Sequence, residues 1–139
     1  MGRIVAIDYG QKRVGIAITD PLNIFAQGFD TVRSDEILQV LKEYTEKEYV
    51  EEFVVGFPKD LRNRDAESMR YVKPFIKSLK KHFPHIPVLL MDERFTSKMA
   101  VQAMINGGMK KKDRQNKSTI DKISAVILLQ SYLDSKKIK

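Results

Sequence analysis

Apolar residues follow two rhythms along this chain, and the change falls at Ser34. Before it, residues 3–8 and 13–19 are nearly continuous apolar runs joined by Tyr9-Gly10-Gln11-Lys12. That spacing predicts two strands of an antiparallel hairpin. Residues 24–32 predict a third, weaker strand after the Asp20-Pro21 break, completing a meander. From Ser34 the period lengthens to that of a helix. Ser34 is placed to cap it, Asp35 and Glu36 suit its first turn, and Ile37, Leu38, Leu41 and Tyr44 mark its buried face. Phe53-Val54-Val55-Gly56 predicts a short buried strand, closed by Phe57-Pro58. A polar loop, residues 59–65, leads to a helix with Met69, Val72, Ile76, Leu79 and Phe83 at steps of three and four. Pro74 predicts a kink in it or a break near residue 73, because it removes a backbone bond and crowds the preceding turn.

A strand at 87–93 follows, then a helix capped by Thr96 or Ser97 and stopped by Asn106-Gly107-Gly108. A connector at 109–117 reaches the last helix, at about 119–134. No internal repeat or linker divides the chain. The expectation is one domain over residues 1–139, of α/β class, in the order βββαβαβαα. Its sheet is mixed and five-stranded, with helices on both faces.

Composition narrows the classes of function. A chain of 139 residues is about one domain long, and 42% hydrophobic with 31% charged residues is the balance of a soluble globular protein. No apolar stretch approaches the roughly 18 residues of a membrane helix, and the N-terminus lacks a signal pattern. The expected location is therefore the cytoplasm, with no membrane partner. Zero cysteines exclude a disulfide framework, a thiol nucleophile and a Cys-based zinc site. A net charge of +7, from 25 basic and 18 acidic residues, favours a polyanionic partner such as nucleic acid.

Three acids are candidates for chemistry. Asp8 ends the first strand, Glu93 ends the strand at 87–93, and Asp121 opens the last helix. Each has a local explanation. Asp8 suits a turn, Asp121 suits a capping box with Ser118, and Glu93 can pair with Arg94. Together they suggest more. An acid at the end of an apolar strand is poorly solvated, and a shared divalent cation would compensate all three. Strand alternation sends Asp92 and Glu93 to opposite faces. In the last helix Asp121, Ser124, Ala125 and Leu128 share a face, and the small Ser124 and Ala125 let it lie close on the sheet. Ile120, Ile123, Ile127 and adjacent aliphatics are expected to supply the apolar surface that holds it there.

The stretch 109–117 carries Lys110, Lys111, Lys112, Arg114 and Lys117 against one acid, Asp113. It is either a solvated loop or a clamp on a nucleic-acid backbone, which positions phosphates without reading bases. Arg62, Arg64 and Arg70 extend the track. Tyr9 and Phe57 read first as core or rim packing, with stacking on an unpaired base as the alternative. His82 and His85 flank Phe83-Pro84 and read as solvated surface.

Four stretches carry a family resemblance: Ile7-Asp8-Tyr9-Gly10 with Lys12-Arg13-Val14-Gly15, then Val54-Val55-Gly56-Phe57-Pro58, Asp92-Glu93-Arg94-Phe95-Thr96, and Ile120-Asp121-Lys122. In this order they resemble the YqgF family of bacterial proteins, the Holliday-junction-resolvase-like or pre-16S rRNA nuclease group, over nearly the whole chain. The resemblance implies a ribonuclease H-like fold and a nuclease acting in 5′-end processing of pre-16S rRNA during ribosome biogenesis. It implies Asp8, Glu93 and Asp121 as catalytic acids, with Mg2+ or Mn2+, one or two ions, as cofactor. Partners would be structured RNA ahead of a DNA junction, and pre-ribosomal particles. The chain would act as a monomer or weak homodimer.

Two departures stand out. Family members often carry glycines after the Gly-x-Pro motif, whereas Leu61-Arg62-Asn63-Arg64-Asp65-Ala66 has none. Related resolvases usually place a further acid one helical turn past the last, where this chain has Ser124; one carboxylate fewer weakens the hold on a second ion. Rival readings remain open: a Holliday-junction resolvase on DNA, or a non-catalytic RNA-binding assembly or transcription factor. A third is an actin-like ATPase or sugar kinase, which shares an Asp-x-Gly hairpin but normally has two lobes.

Overall fold

The computed structural model describes residues 2–10, 12–20, 22–23, 25–57, 69–92 and 117–137. Its elements are β1 (Arg3–Tyr9), β2 (Arg13–Thr19), β3 (Ala26–Arg33), α1 (Ile37–Lys47), β4 (Val50–Phe57), α2 (Met69–His82), β5 (Val88–Asp92) and α3 (Lys117–Lys137). They build one five-stranded sheet in the order β3-β2-β1-β4-β5. The pairs β1–β2 and β2–β3 are antiparallel, while β1–β4 and β4–β5 are parallel. The expected mixed sheet is present. Because β1, β4 and β5 run the same way, their C-terminal ends lie along one edge of the sheet.

Strand alternation divides the apolar residues between two cores. Val5 and Ile7 of β1, with Phe53 and Val55 of β4, face Ile37 and Leu41 of α1 and Val72, Ile76 and Leu79 of α2. Ile4 and Ala6, with Ala17 and Val54, face Ala125, Leu128, Leu129 and Leu133 of α3. Each fully buried aliphatic side chain contributes about 1.5–3 kcal/mol. Helices therefore cover both faces, as the periodicity requires.

Several boundaries differ from expectation. Strand β4 begins at Val50, not Phe53: buried Val50 pairs with Arg3, and the register shift that follows leaves Glu51 over, so two successive acids conceal the start from a search for apolar runs. Helix α1 begins at Ile37, and Glu36 stands at its cap without a side-chain bond. Ser34 does not cap it. Instead its backbone N–H donates to the Lys12 carbonyl at 3.1 Å, tying the β3–α1 turn to the hairpin turn. Helix α2 continues through Pro74 with neither break nor interruption. The ring is exposed, and only the bond toward the carbonyl of residue 70 is forgone, while Val72, Phe75 and Leu79 anchor the segment on the sheet. Helix α3 starts at Lys117, so Ser118 lies inside it and cannot be the cap of a box with Asp121. Ile123 and Ile127 are only half-buried; the stripe on the sheet runs through Ser124, Ala125, Leu128, Leu129 and Leu133. The expected helix near 97–106, the loop at 59–65 and the connector up to residue 116 lie outside the described residues. No helix among the described residues is long and apolar enough to cross a membrane.

Candidate active site

Asp8 is the next-to-last residue of β1 and is half-buried. Alternation puts it on the same face as Ile4 and Ala6, under α3. Its direct partner on β2 is Gly15. On the other side, Ile7 pairs with Val55, so the next residue of β4 at the level of Asp8 is Gly56. Neither neighbour projects a side chain beside the acid, and both glycines are buried. Gly56 pairs in turn with Met91 of β5, which packs into the same core as α3.

Tyr9 turns the opposite way. Its ring stacks on Phe75 with centroids 4.3 Å apart and planes 14° from parallel. Burial pushes the Tyr9 hydroxyl above its ordinary pKa, and its hydrogen bond with Ser34 pulls the other way. Tyr9 is thus a packing residue that fixes the end of β1, in line with the preferred reading. The Phe57 side chain is outside the described set. The hairpin that follows is tight: Gly10 N–H donates to the Arg13 carbonyl at 3.0 Å, and a Cβ at Gly10 would stand 2.6 Å from that oxygen.

Two hydrogen bonds fix how α3 lies on the sheet. The Tyr132 hydroxyl donates to Glu52 Oε1 at 2.6 Å, and Ala26 N–H donates to Gln130 Oε1 at 3.1 Å. Glu52 pairs with Ile4, at the start of β1, and Ala26 pairs with Thr19, whose hydroxyl accepts the Ile4 N–H. The C-terminal part of α3 therefore overlies the beginning of β1, and its N-terminal part runs toward the end of β1. From residue 132 back to 121 the helix climbs roughly 16 Å at 1.5 Å per residue. From Ile4 to Asp8 the strand climbs roughly 13 Å. The backbone at Asp121 thus reaches about the level of Asp8. Ser124 and Ala125, 1% and 0% exposed, let the helix settle close on the sheet, as their size predicts. Ser124 Oγ is buried and has no hydrogen-bond partner among the described residues.

Of the three candidate acids, Asp8 alone has a described side chain. Asp121 lies in the first turns of α3, three residues before Ser124, and its side chain is outside the described residues. Glu93 is also outside them; it follows in sequence on Asp92, the last residue of β5. Among the described residues no three Asp, Glu, His or Cys side chains form a metal-binding group. Of the basic track, Lys117 is the first residue of α3, and Arg70 lies in α2. Lys110, Lys111, Lys112, Arg114, Arg62 and Arg64 are outside the described residues. His82 and His85 are exposed, as expected, with His82 Nδ1 2.9 Å from the Ser78 carbonyl.

The pattern that defines RuvX, described as Holliday junction resolvase, matches residues 2–135. The chain belongs to the RuvX family. This is the family whose motifs the sequence resembles under the name YqgF. A Phocaeicola vulgatus relative named "Putative pre-16S rRNA nuclease" is 56% identical over 137 residues, covering 99% of each chain. One from Bacteroides thetaiotaomicron with the same name is 52% identical over 137 residues, again covering 99% of both. Among solved structures, Thermus thermophilus RuvC in complex with Holliday junction substrate superposes with a TM-score of 0.59 at 16% identity, covering 99% of this chain and 96% of that one. The fold is ribonuclease H-like, as expected, and the family is one of nucleases.

Proposed function

We propose that this RuvX-family protein is a divalent-metal-dependent nuclease that trims the 5′ end of precursor 16S rRNA during ribosome assembly in the cytoplasm. The observation that carries the reading is the position of Asp8: at the C-terminal end of β1, on the α3 face, with Gly15 and Gly56 on either side. Glu93, following β5, and Asp121, on the α3 turn that reaches the same level, complete the acid set in this proposal. Carboxylate oxygens are hard ligands that suit Mg2+ or Mn2+ better than zinc. Asp8 would be shared between two ions, with Glu93 holding one and Asp121 the other. When bound, the ions supply an activated water and neutralise the phosphate under attack.

The protein's own part is positional. The Tyr9–Phe75 stack fixes the end of β1 beside Asp8, and Gly15 and Gly56 put no side chain next to the acid. Ser124 adds no charge where a fourth acid would stand, so a second ion is held mainly once substrate phosphate completes its shell. The relatives' name favours RNA, and the family description makes a DNA junction the second reading.

Labelled pre-16S RNA and a four-way DNA junction, each incubated with Mg2+, Mn2+ or EDTA, separate these. The expected result is RNA cut near the mature 5′ end, stopped by EDTA, with the junction left whole. Paired cuts in the junction and none in the RNA would transfer the activity to DNA. Binding of RNA without cutting under any metal would leave an assembly factor with no hydrolytic role.

A further inference from the structure

Helix α2 carries Arg70, Lys73, Lys77, Lys80 and Lys81 and no Asp or Glu, so most of the chain's net charge of +7 sits on one helix. Its four lysines are exposed, on the side away from buried Val72, Phe75, Ile76 and Leu79. Lys73 is engaged by a contact of its own. Lys77, Lys80 and Lys81 take part in no ion pair among the described residues. Like charges three and four residues apart repel. Helix α1 shows the usual remedy, mixing Lys42 and Lys47 with Glu43 and Glu46. A helix C-terminus favours Lys80 and Lys81 where they stand, but Lys77 lies a turn before it. The groove between α1 and α2, about 440 Å³, adds Lys42 and His82 and is lined by no carboxylate among the described residues.

Two aromatic contacts locate this ridge. Phe75 stacks on Tyr9, at the end of β1 beside Asp8, whereas Phe83 meets the ring of Phe53, which pairs with Val5 near the start of β1. Helix α2 therefore runs away from the Asp8 edge, on the face of the sheet opposite α3. Lys77 and Lys81 stand two and six residues past Phe75, roughly 3 and 9 Å along the axis. The width of the helix, about 10–12 Å, separates the sheet from its outer face. A path from the Asp8 edge round to Lys81 is thus roughly 20 Å long.

We propose that Lys77, Lys80 and Lys81 form a second RNA-docking surface, which holds the phosphate backbone of the precursor away from the scissile bond. It rests on the nuclease reading for its partner. It is separate in sequence from the basic stretch at 109–117. At about 3.4 Å per stacked nucleotide the path corresponds to roughly six nucleotides, so only a longer RNA occupies site and ridge together. A face of one sign raises the local concentration of a polyanion, and the polyanion relieves the repulsion among the lysines. Ammonium groups on flexible stems hold a backbone without reading its bases. An anionic membrane also attracts lysines, but an interfacial helix needs apolar residues beside them. The exposed large apolar residues, Leu22, Phe25, Phe29, Tyr49, Leu89 and Leu90, all lie outside α2.

The test measures binding of the full chain to labelled precursor RNA of about 60 nucleotides, spanning the mature 5′ end, in EDTA from about 50 to 300 mM salt. Lys77→Gln/Lys80→Gln/Lys81→Gln is expected to weaken affinity about tenfold at about 100 mM salt. It should also flatten the log–log salt slope by about 2, since each lost phosphate contact removes about 0.7–0.9. All three positions are exposed and glutamine suits a helix nearly as well as lysine, so the melting temperature without RNA should not fall. The matching triple arginine variant should keep affinity and slope. Lys47→Gln/Lys136→Gln/Lys137→Gln, which removes as much charge from the C-terminal ends of α1 and α3, should change both far less. The docking surface is overturned if the α2 glutamine variant binds as wild type, or if the control loses as much. It is also overturned if wild type prefers phosphatidylserine vesicles to the RNA through these lysines. Cleavage with Mg2+ is scored separately. The α2 variant should raise KM for the long RNA about tenfold at unchanged kcat, and leave kcat/KM unchanged for a strand of about eight nucleotides spanning the cut. An equal loss on the short strand would put these lysines at the reacting bond and overturn a remote surface. Wild type that binds with this dependence and never cuts would end the nuclease reading and leave the docking surface standing. Cutting by wild type with unaltered binding by the α2 variant would do the reverse.

Discussion

Asp8→Asn should lower metal-dependent RNA cleavage by about three orders of magnitude, equivalent to about 4 kcal/mol of barrier. Asparagine keeps the size of the side chain and its capacity to accept a hydrogen bond, and removes only the charge that would hold the cations. Affinity for RNA in EDTA should stay within about threefold, and the melting temperature without metal should not fall. Asp8 is half-buried at the strand end, and a replacement of the same shape leaves its packing unchanged, so the fold loses little. Added Mn2+ should raise the melting temperature of wild type, since a ligand that binds only the folded state stabilises it, and should leave Asp8→Asn unmoved. The competing account makes Asp8 a turn residue that closes the β1–β2 hairpin. It expects the opposite pattern: cleavage retained, stability reduced. Gel-resolved cleavage rates and thermal melts on the same two proteins distinguish the accounts.

Leu129→Ala should be the most damaging single truncation on the α3 side of the sheet. Leu129 is 0% exposed, in the cluster with Ile4, Ala6, Ala17 and Val54. Removing three heavy atoms from such a site costs about 2–5 kcal/mol, part of it for the cavity left behind. Domains of this kind are stable by only about 5–15 kcal/mol, so a fall of roughly 10 °C in melting temperature is expected. Ile127→Ala, two residues earlier and half-buried, should cost under about 1.5 kcal/mol. Cleavage should fall further in Leu129→Ala than the folded fraction accounts for, because α3 also carries Asp121. Denaturant midpoints for both variants test this. Equal losses would mean that Ile127 holds α3 on the sheet as strongly as Leu129 does.

The contrast between Leu129 and Ile127 shows what the periodicity conveyed and what it did not. The fold class and the sheet's composition were legible, since apolar runs of strand length and a later helical period each have one packing solution. Helix α3 was harder because it is apolar on more than one side: Ile123, Val126 and Ile127 compete with Ala125, Leu128 and Leu129 for the sheet. The small residues decided it, because only the Ser124–Ala125 side lies close against the sheet. Glu51 and Glu52 hid the start of β4, and Pro74 suggested a break that the apolar anchors on either side of it prevent.

The acids were visible as ends of elements, and the resemblance picked them out. The pairing of Arg13 with Arg33 across β2 and β3 was not visible at all. It depends on a register that carries an irregularity between Ile16 and Ala17, where Asp30 and Gly28 are the successive partners and Phe29 is left over. A one-residue slip would have sent Arg33 to the other face, and no local pattern in the sequence fixes it.

Crystals of the protein soaked in Mn2+, with data collected for anomalous scattering from manganese, test the shared cation site without recourse to activity. The account predicts a peak about 2.0–2.3 Å from carboxylate oxygens of Asp8, Glu93 and Asp121, lost in Asp8→Asn. A map with no peak beside Asp8, or a manganese ion bound elsewhere and indifferent to that substitution, would contradict it.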